Sequence, residues 1–114
     1  MLKKENRLKN KYAFKATYKA KNFHCNGGIT LNVGKNNING TPVKIGFVVS
    51  KKTHKRAVKR NRLKRLMRES VRLILKEKQL NKYVSLIFTA HSGALDKNFN
   101  EIDDSIKQLI KEIL

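Results

Sequence analysis

The chain has 114 residues, with 27 Lys and Arg against eight Asp and Glu, giving a formal net charge of +19. One domain, residues 1–114, is expected at this length, and it can bury roughly two thirds of the surface its unfolded chain exposes. A single cysteine, Cys25, excludes an intramolecular disulfide. The start, Met1-Leu2-Lys3-Lys4-Glu5-Asn6, has no signal-peptide run, and no stretch approaches the roughly 18 apolar residues of a membrane span. These features point to the cytoplasm, to no membrane partner and to Cys25 as a small apolar filler.

In chain order, Asn10 can cap a first helix running to about residue 21, with Phe14 and Tyr18 at i and i+4 on one side. Residues 28–33 alternate through Ile29, Leu31 and Val33. A loop follows, with turn signals at Asn36-Asn37 and Asn39-Gly40, and is closed by Pro42. Residues 43–50 alternate again, with Val43, Ile45, Phe47 and Val49 on one face and Lys44, Gly46, Val48 and Ser50 on the other. The two alternating runs read as an antiparallel hairpin.

A long helix is expected over residues 56–78. At about 100° per residue, Leu63, Leu66, Met67, Ser70, Val71 and Ile74 share one face, and Asn61, Lys64, Arg65, Arg68, Arg72 and Lys76 share the opposite one. Residues 83–89 form a near-continuous β-type run suited to a covered central strand. The order strand, helix, strand implies a crossover. Phe99, Ile102, Ile106, Leu109, Ile110 and Ile113 then recur at helical spacing behind caps at Asp96 or Asn98. The expectation is an α/β sandwich with three helices on a sheet of about four strands.

Charge is the most informative signal. Lys51 to Lys76 holds 12 of the 27 cations and one acid, Glu69. Packing like charges together opposes folding, and solvated helix faces normally mix both signs. This pattern points to a polyanion, most simply nucleic acid, with an anionic membrane as a competing reading that the lack of an apolar insertion face disfavours. Phe14 and Tyr18 stand beside Lys11, Lys15 and Lys19, the mixture that stacks unpaired bases and guides phosphates; both could equally be core residues. Asn61 could be a local cap.

Catalytic equipment is sparse. Asp103 and Asp104 are adjacent, but helix neighbours point about 100° apart, and a solvated face explains them. His24, His54 and His91 lack metal-ligand spacing, so no catalytic residue, metal or bound cofactor is expected.

Four features, in order, resemble the protein subunit of bacterial ribonuclease P. They are Arg7-Leu8-Lys9 ahead of Phe14; the run from Ile45 to Lys52, IGFVVSKK; the run from Ala57 to Glu69, AVKRNRLKRLMRE; and a β run ending at Ala90. In that family a large RNA carries the catalytic magnesium ions and cleaves precursor tRNA to make the mature 5′ end. The small basic protein binds that RNA and holds the 5′ leader, and its sheet contains a left-handed βαβ crossover against the usual rule. The resemblance implies catalytic RNA and precursor tRNA as partners, with no obligate protein partner. It implies RNA contacts by Lys51, Lys52, Arg56, Arg60, Asn61, Arg62, Lys64, Arg65 and Arg68. It implies a leader cleft of Phe14, Tyr18, Lys44, Val48 and Ser50, with Gly46 on the same strand face. Departures from the family pattern are Ala13, Lys19-Ala20-Lys21 and Asn32, which stand where an acid, a glycine and an aromatic are common. The alternatives are a ribosomal or other structural RNA-binding protein and a self-sufficient nuclease, which the shortage of paired acids disfavours.

Overall fold

The structure, a computed structural model, describes residues 3–78 and 80–114. Helix α1 spans Lys11–Lys19, α2 Ala57–Glu77 and α3 Phe99–Ile113; the strands are β1 Asn22–Asn26, β2 Ile29–Val33, β3 Lys44–Val49 and β4 Ser85–Ala90. They form one four-stranded sheet in the order β1-β2-β4-β3.

The sheet corrects the expected hairpin. β2 pairs antiparallel with β1 and with β4, while β3 pairs in parallel with β4. The true hairpin is β1-β2, turning at Gly27 and Gly28, whose φ values of 57° and 82° are the positive pair that a tight two-residue turn demands. β3 cannot lie beside β2 because β4, buried at five of its six positions, occupies the place between them. A continuous apolar strand wants cover on both faces, and the centre of a sheet supplies it. The 34–43 loop passes the start of β4: Gly34 N donates to Ser85 O at 2.8 Å, Val84 N to Lys35 O at 2.8 Å and Asn37 N to Lys82 O at 2.9 Å.

The faces of the sheet are unequally covered. Leu31, Phe88 and Phe47 stand in one cross-strand row, and Val33, Leu86 and Ile45 in another, on the face covered by α2 and α3. Phe47 stacks on Phe88 with ring centroids 5.8 Å apart. Leu63, Met67 and Val71 bring α2 into this core with no exposed surface, each burial stabilising by about 1.5–3 kcal/mol. The opposite face carries α1 and, at the β3 edge, Leu8. Thr17, which is buried, hydrogen-bonds Ser85 through the two hydroxyls and binds α1 to β4.

Local signals set the helix ends. The Asn10 side chain accepts from Tyr12 N at 2.8 Å, and Asn98 with Glu101 makes a reciprocal capping box on α3. After α1, Lys21 holds a φ of 52°, the left-handed conformation that favours glycine at a helix end.

Candidate nucleic-acid interface

The outer face of α2 holds its cations in two ways. Arg60 is half-buried, and its Nη1 donates to His54 O at 2.9 Å and Lys55 O at 2.7 Å. Arg62 reaches the other side of the helix, where Nη1 donates to Leu95 O at 3.4 Å and Nη2 to Lys97 O at 3.2 Å. By contrast, the side chains of Lys64, Arg65 and Arg68 make no hydrogen bond or ion pair with any described residue. Asn61 sits exposed in the second turn of α2, which begins at Ala57, and so is not a cap.

Lys51 and Lys52 project from the turn closed by Thr53 N donating to Ser50 O at 3.0 Å, and Arg56 precedes the first residue of α2. Arg56 N donates to His54 Nδ1 at 3.0 Å. With no acid in its first turn, the positive end of the α2 dipole adds to these cations. Arg72 is neutralised within the helix by Glu69, its Nε donating to Oε2 at 3.0 Å. That hydrogen bond lowers the Glu69 pKa and raises that of Arg72.

The cationic face continues around the sheet edge. A groove of about 350 Å³ is lined by Arg7, Lys9, Phe14, Gly46, Lys64 and Arg68, among others. It exists because Leu8 N donates to Ile45 O at 3.0 Å, which fastens the N-terminal segment along β3 opposite α2. Gly46 is required here: a Cβ at that position would lie 2.7 Å from Phe14 Cζ. Phe14 therefore rests on the backbone of β3.

Beyond α1 the sheet is open. Register places Val48, Thr89, Thr30 and Cys25 in one row on the α1 face, and none of the four is buried. Thr17 reaches Ser85 and Phe14 reaches Gly46, and Tyr18, one turn past Phe14, leaves 43% of its surface exposed. The result is a cleft walled by α1 and floored by small and polar side chains. Lys44 lies on the same strand face beside Ser85, beneath the α1-covered end, and Ser50 follows the open end of β3. Of the sequence-predicted cleft residues, Val48 lies in the open row and Phe14 lines the groove.

Two sequence readings change. Cys25 is exposed, its Sγ 3.4 Å from Thr30 Oγ1, because it sits on an edge strand facing the open side. Asp103 is not solvated: it accepts from Ser70 Oγ at 2.7 Å and pairs with Lys107 Nζ at 2.8 Å, joining α2 to α3 and raising the Lys107 pKa. Among the histidines, His24 Nδ1 lies 3.3 Å from Glu112 Oε2 and His91 Nε2 lies 2.8 Å from Thr30 Oγ1. No three His, Cys, Asp or Glu residues among those described gather to hold a metal ion, and no described helix is long and apolar enough to cross a membrane.

Sequence reasoning missed Arg7 and Lys9 as groove residues. The signal was the eight cations against one acid in the first 21 residues, but nothing local showed that this segment lies against β3. Phe23, 60% exposed, was missed with its strand.

The chain as a whole is similar to known proteins. A protein-family model described as Ribonuclease P matches residues 2–114. The chain is 34% identical over 109 residues to the ribonuclease P protein component of Clostridium botulinum (strain Loch Maree / Type A3), covering 96% of this chain and 95% of that one. It is 37% identical over 106 residues to the same component of Clostridium kluyveri, covering 93% and 92%. The structure of the Staphylococcus aureus RNase P protein matches with a TM-score of 0.81 at 26% identity over 96% of each chain. The RNase P protein of Thermotoga maritima shares the fold, with a TM-score of 0.78 at 22% identity over 95% of this chain and 97% of that one. A match along nearly the whole length of both sequence and fold establishes that the chain belongs to the ribonuclease P protein family.

Proposed function

We propose that this chain serves in 5′ maturation of tRNA by binding the catalytic RNA of ribonuclease P through the outer face of α2. It holds the 5′ leader of precursor tRNA in the cleft beside α1. The observation that carries this reading is the continuity of the cationic surface: Lys64 and Arg68 on α2 line the same groove as Phe14, which leads into the open sheet face. One RNA surface can thus be gripped by phosphate contacts while an unpaired strand passes along the aromatic wall. Counterion release supplies affinity, and the rigid helix supplies placement.

Catalysis is assigned to the RNA, with its magnesium ions. The residues of this chain do not suit a two-metal site, which needs oxygen ligands converging on ions roughly 3.5–4 Å apart. Asp103 is engaged by Ser70 and Lys107. The protein's work is positioning, in the cytoplasm where tRNA is processed.

The test is reconstitution with bacterial ribonuclease P RNA and single-turnover cleavage of precursor tRNA at low magnesium. The protein should raise the rate over RNA alone, and RNA-depleted protein should cleave nothing. No stimulation, with binding to ribosomal RNA instead, would favour a ribosomal role; site-specific cleavage by the protein alone would overturn the assignment of catalysis to RNA.

A further inference from the structure

Phe23 is an aromatic side chain that the core does not use. It lies on edge strand β1, 60% exposed, and pairs directly with Asn32, which pairs with Ile87, which pairs with Gly46. Directly opposed residues share a face of the sheet, so Phe23 lies on the α1 side, away from the α2/α3 core. It ends the cross-strand row whose other end is Gly46, under Phe14. Three strand spacings separate the ends, about 14 Å; Ile87 between them is wholly buried, so Phe23 stands at the exposed rim of this face and offers its ring to a base there.

Its neighbour adds a second observation. Asn32 is half-buried on the same face, and its amide makes no hydrogen bond to any described residue. An amide offers a donor and an acceptor together, the pattern that reads the edge of a base. Lys19 and Lys21, both exposed, flank the turn into β1 and supply charge for a phosphate.

We infer that Phe23 stacks an unpaired leader base at the β1 edge of the cleft and that the Asn32 amide reads that base's edge. This rests on the leader reading above and adds to it a specificity site. Sheet-borne aromatics that stack successive bases are a recurrent device of single-strand RNA recognition. Self-association through this edge is the competing occupancy, and the +19 charge opposes it.

The test uses holoenzyme reconstituted with its RNA, mature tRNA, and a panel of precursor tRNAs in which each leader position is set in turn to A, C, G or U. Phe23→Ala should weaken precursor binding roughly tenfold, within the about 5- to 150-fold expected of one stacked base, and leave mature tRNA binding unchanged. Phe23→Leu, which keeps apolar bulk without a ring, should match Ala, and Phe23→Trp should restore affinity. Asn32→Ala should reduce the preference among the four bases at one leader position.

If Phe14→Ala and Tyr18→Ala weaken leader binding while Phe23→Ala does not, the inference falls and the leader reading stands. If none of the three does, the leader reading itself falls. Equal losses for precursor and mature tRNA, or a concentration-dependent dimer abolished by Phe23→Ala with leader affinity intact, would also overturn the inference.

Discussion

Arg60 and Arg62 direct guanidinium donors at carbonyls of their own chain, whereas Lys64, Arg65 and Arg68, on the next turns of the same helix, direct theirs at none among the described residues. A guanidinium has five N–H donors, so Arg60, bonded through Nη1, keeps others for a phosphate and presents them in a fixed orientation. The first pair joins α2 to the loops on either side of it; the second group forms an uncommitted cationic surface. Residue type alone did not divide them. What did was the placement of the 54–55 turn and of the 95–97 segment within reach of one part of the helix.

Substitutions on the two sides of α2 should separate these roles by their effect on folding. Leu63→Ala, on the core side of the helix, should cost about 2–5 kcal/mol in urea unfolding, because Leu63 is wholly buried. Arg60→Ala should cost about 1–2 kcal/mol through its two charge-assisted hydrogen bonds, and Arg62→Ala less, since its bonds are longer and exposed. Arg65→Ala should stay within about 0.5 kcal/mol of the parent protein. Equal destabilisation by Arg60→Ala and Arg65→Ala would remove the distinction.

The smallest effect concerns Glu69, whose pKa the Arg72 hydrogen bond lowers from the ordinary 4.5. A depressed carboxylate contributes stability that is fully present above its unfolded pKa and is lost as pH falls through the folded value. The contribution should therefore fade in acid below about pH 4.5 and be absent from Glu69→Gln at every pH. Chemical unfolding of both proteins from pH 7 to pH 3 checks it; curves that remain parallel would show that the pair contributes nothing.

Much of the architecture was legible because it depends on periodicity. The α2 stripe of Leu63, Met67, Ser70, Val71 and Ile74 is the buried face, the apolar 83–89 run overlaps the inner strand β4, Ser85–Ala90, and Asn98 is the α3 cap. Strand pairing was not legible. Alternation fixes which residues share a face but not which strand lies alongside, and β2 and β3, close in sequence, are separated by β4, which comes much later. β1 escaped because an edge strand with one open face needs no apolar alternation, and its Asn-Phe-His-Cys-Asn sequence has little.

The candidate site was legible to the extent that it is local. The charges of α2 and the Phe14–Tyr18 spacing could be read from neighbouring residues. The groove joining Arg7 and Lys9 to Lys64 and Arg68 depends on the N-terminal segment lying along β3. The departures at Lys21 and Asn32 also acquire physical content: Lys21 adopts a conformation that glycine holds more easily, and Asn32 stands beside an exposed aromatic on the next strand.

The central claim is that RNA lies against the uncommitted face of α2, and the salt dependence of binding tests it most directly. Association of the protein with ribonuclease P RNA should be titrated over a range of monovalent salt for the parent, for Lys64→Ala/Arg65→Ala/Arg68→Ala, and for Lys107→Ala on α3 as control. Each phosphate contact removed should reduce the slope of log K against log salt by about 0.7–0.9, so the triple variant should bind more weakly and fall about two units short of the parent slope, with its fold intact and the control unchanged. A folded triple variant with the parent's slope and affinity would contradict the account.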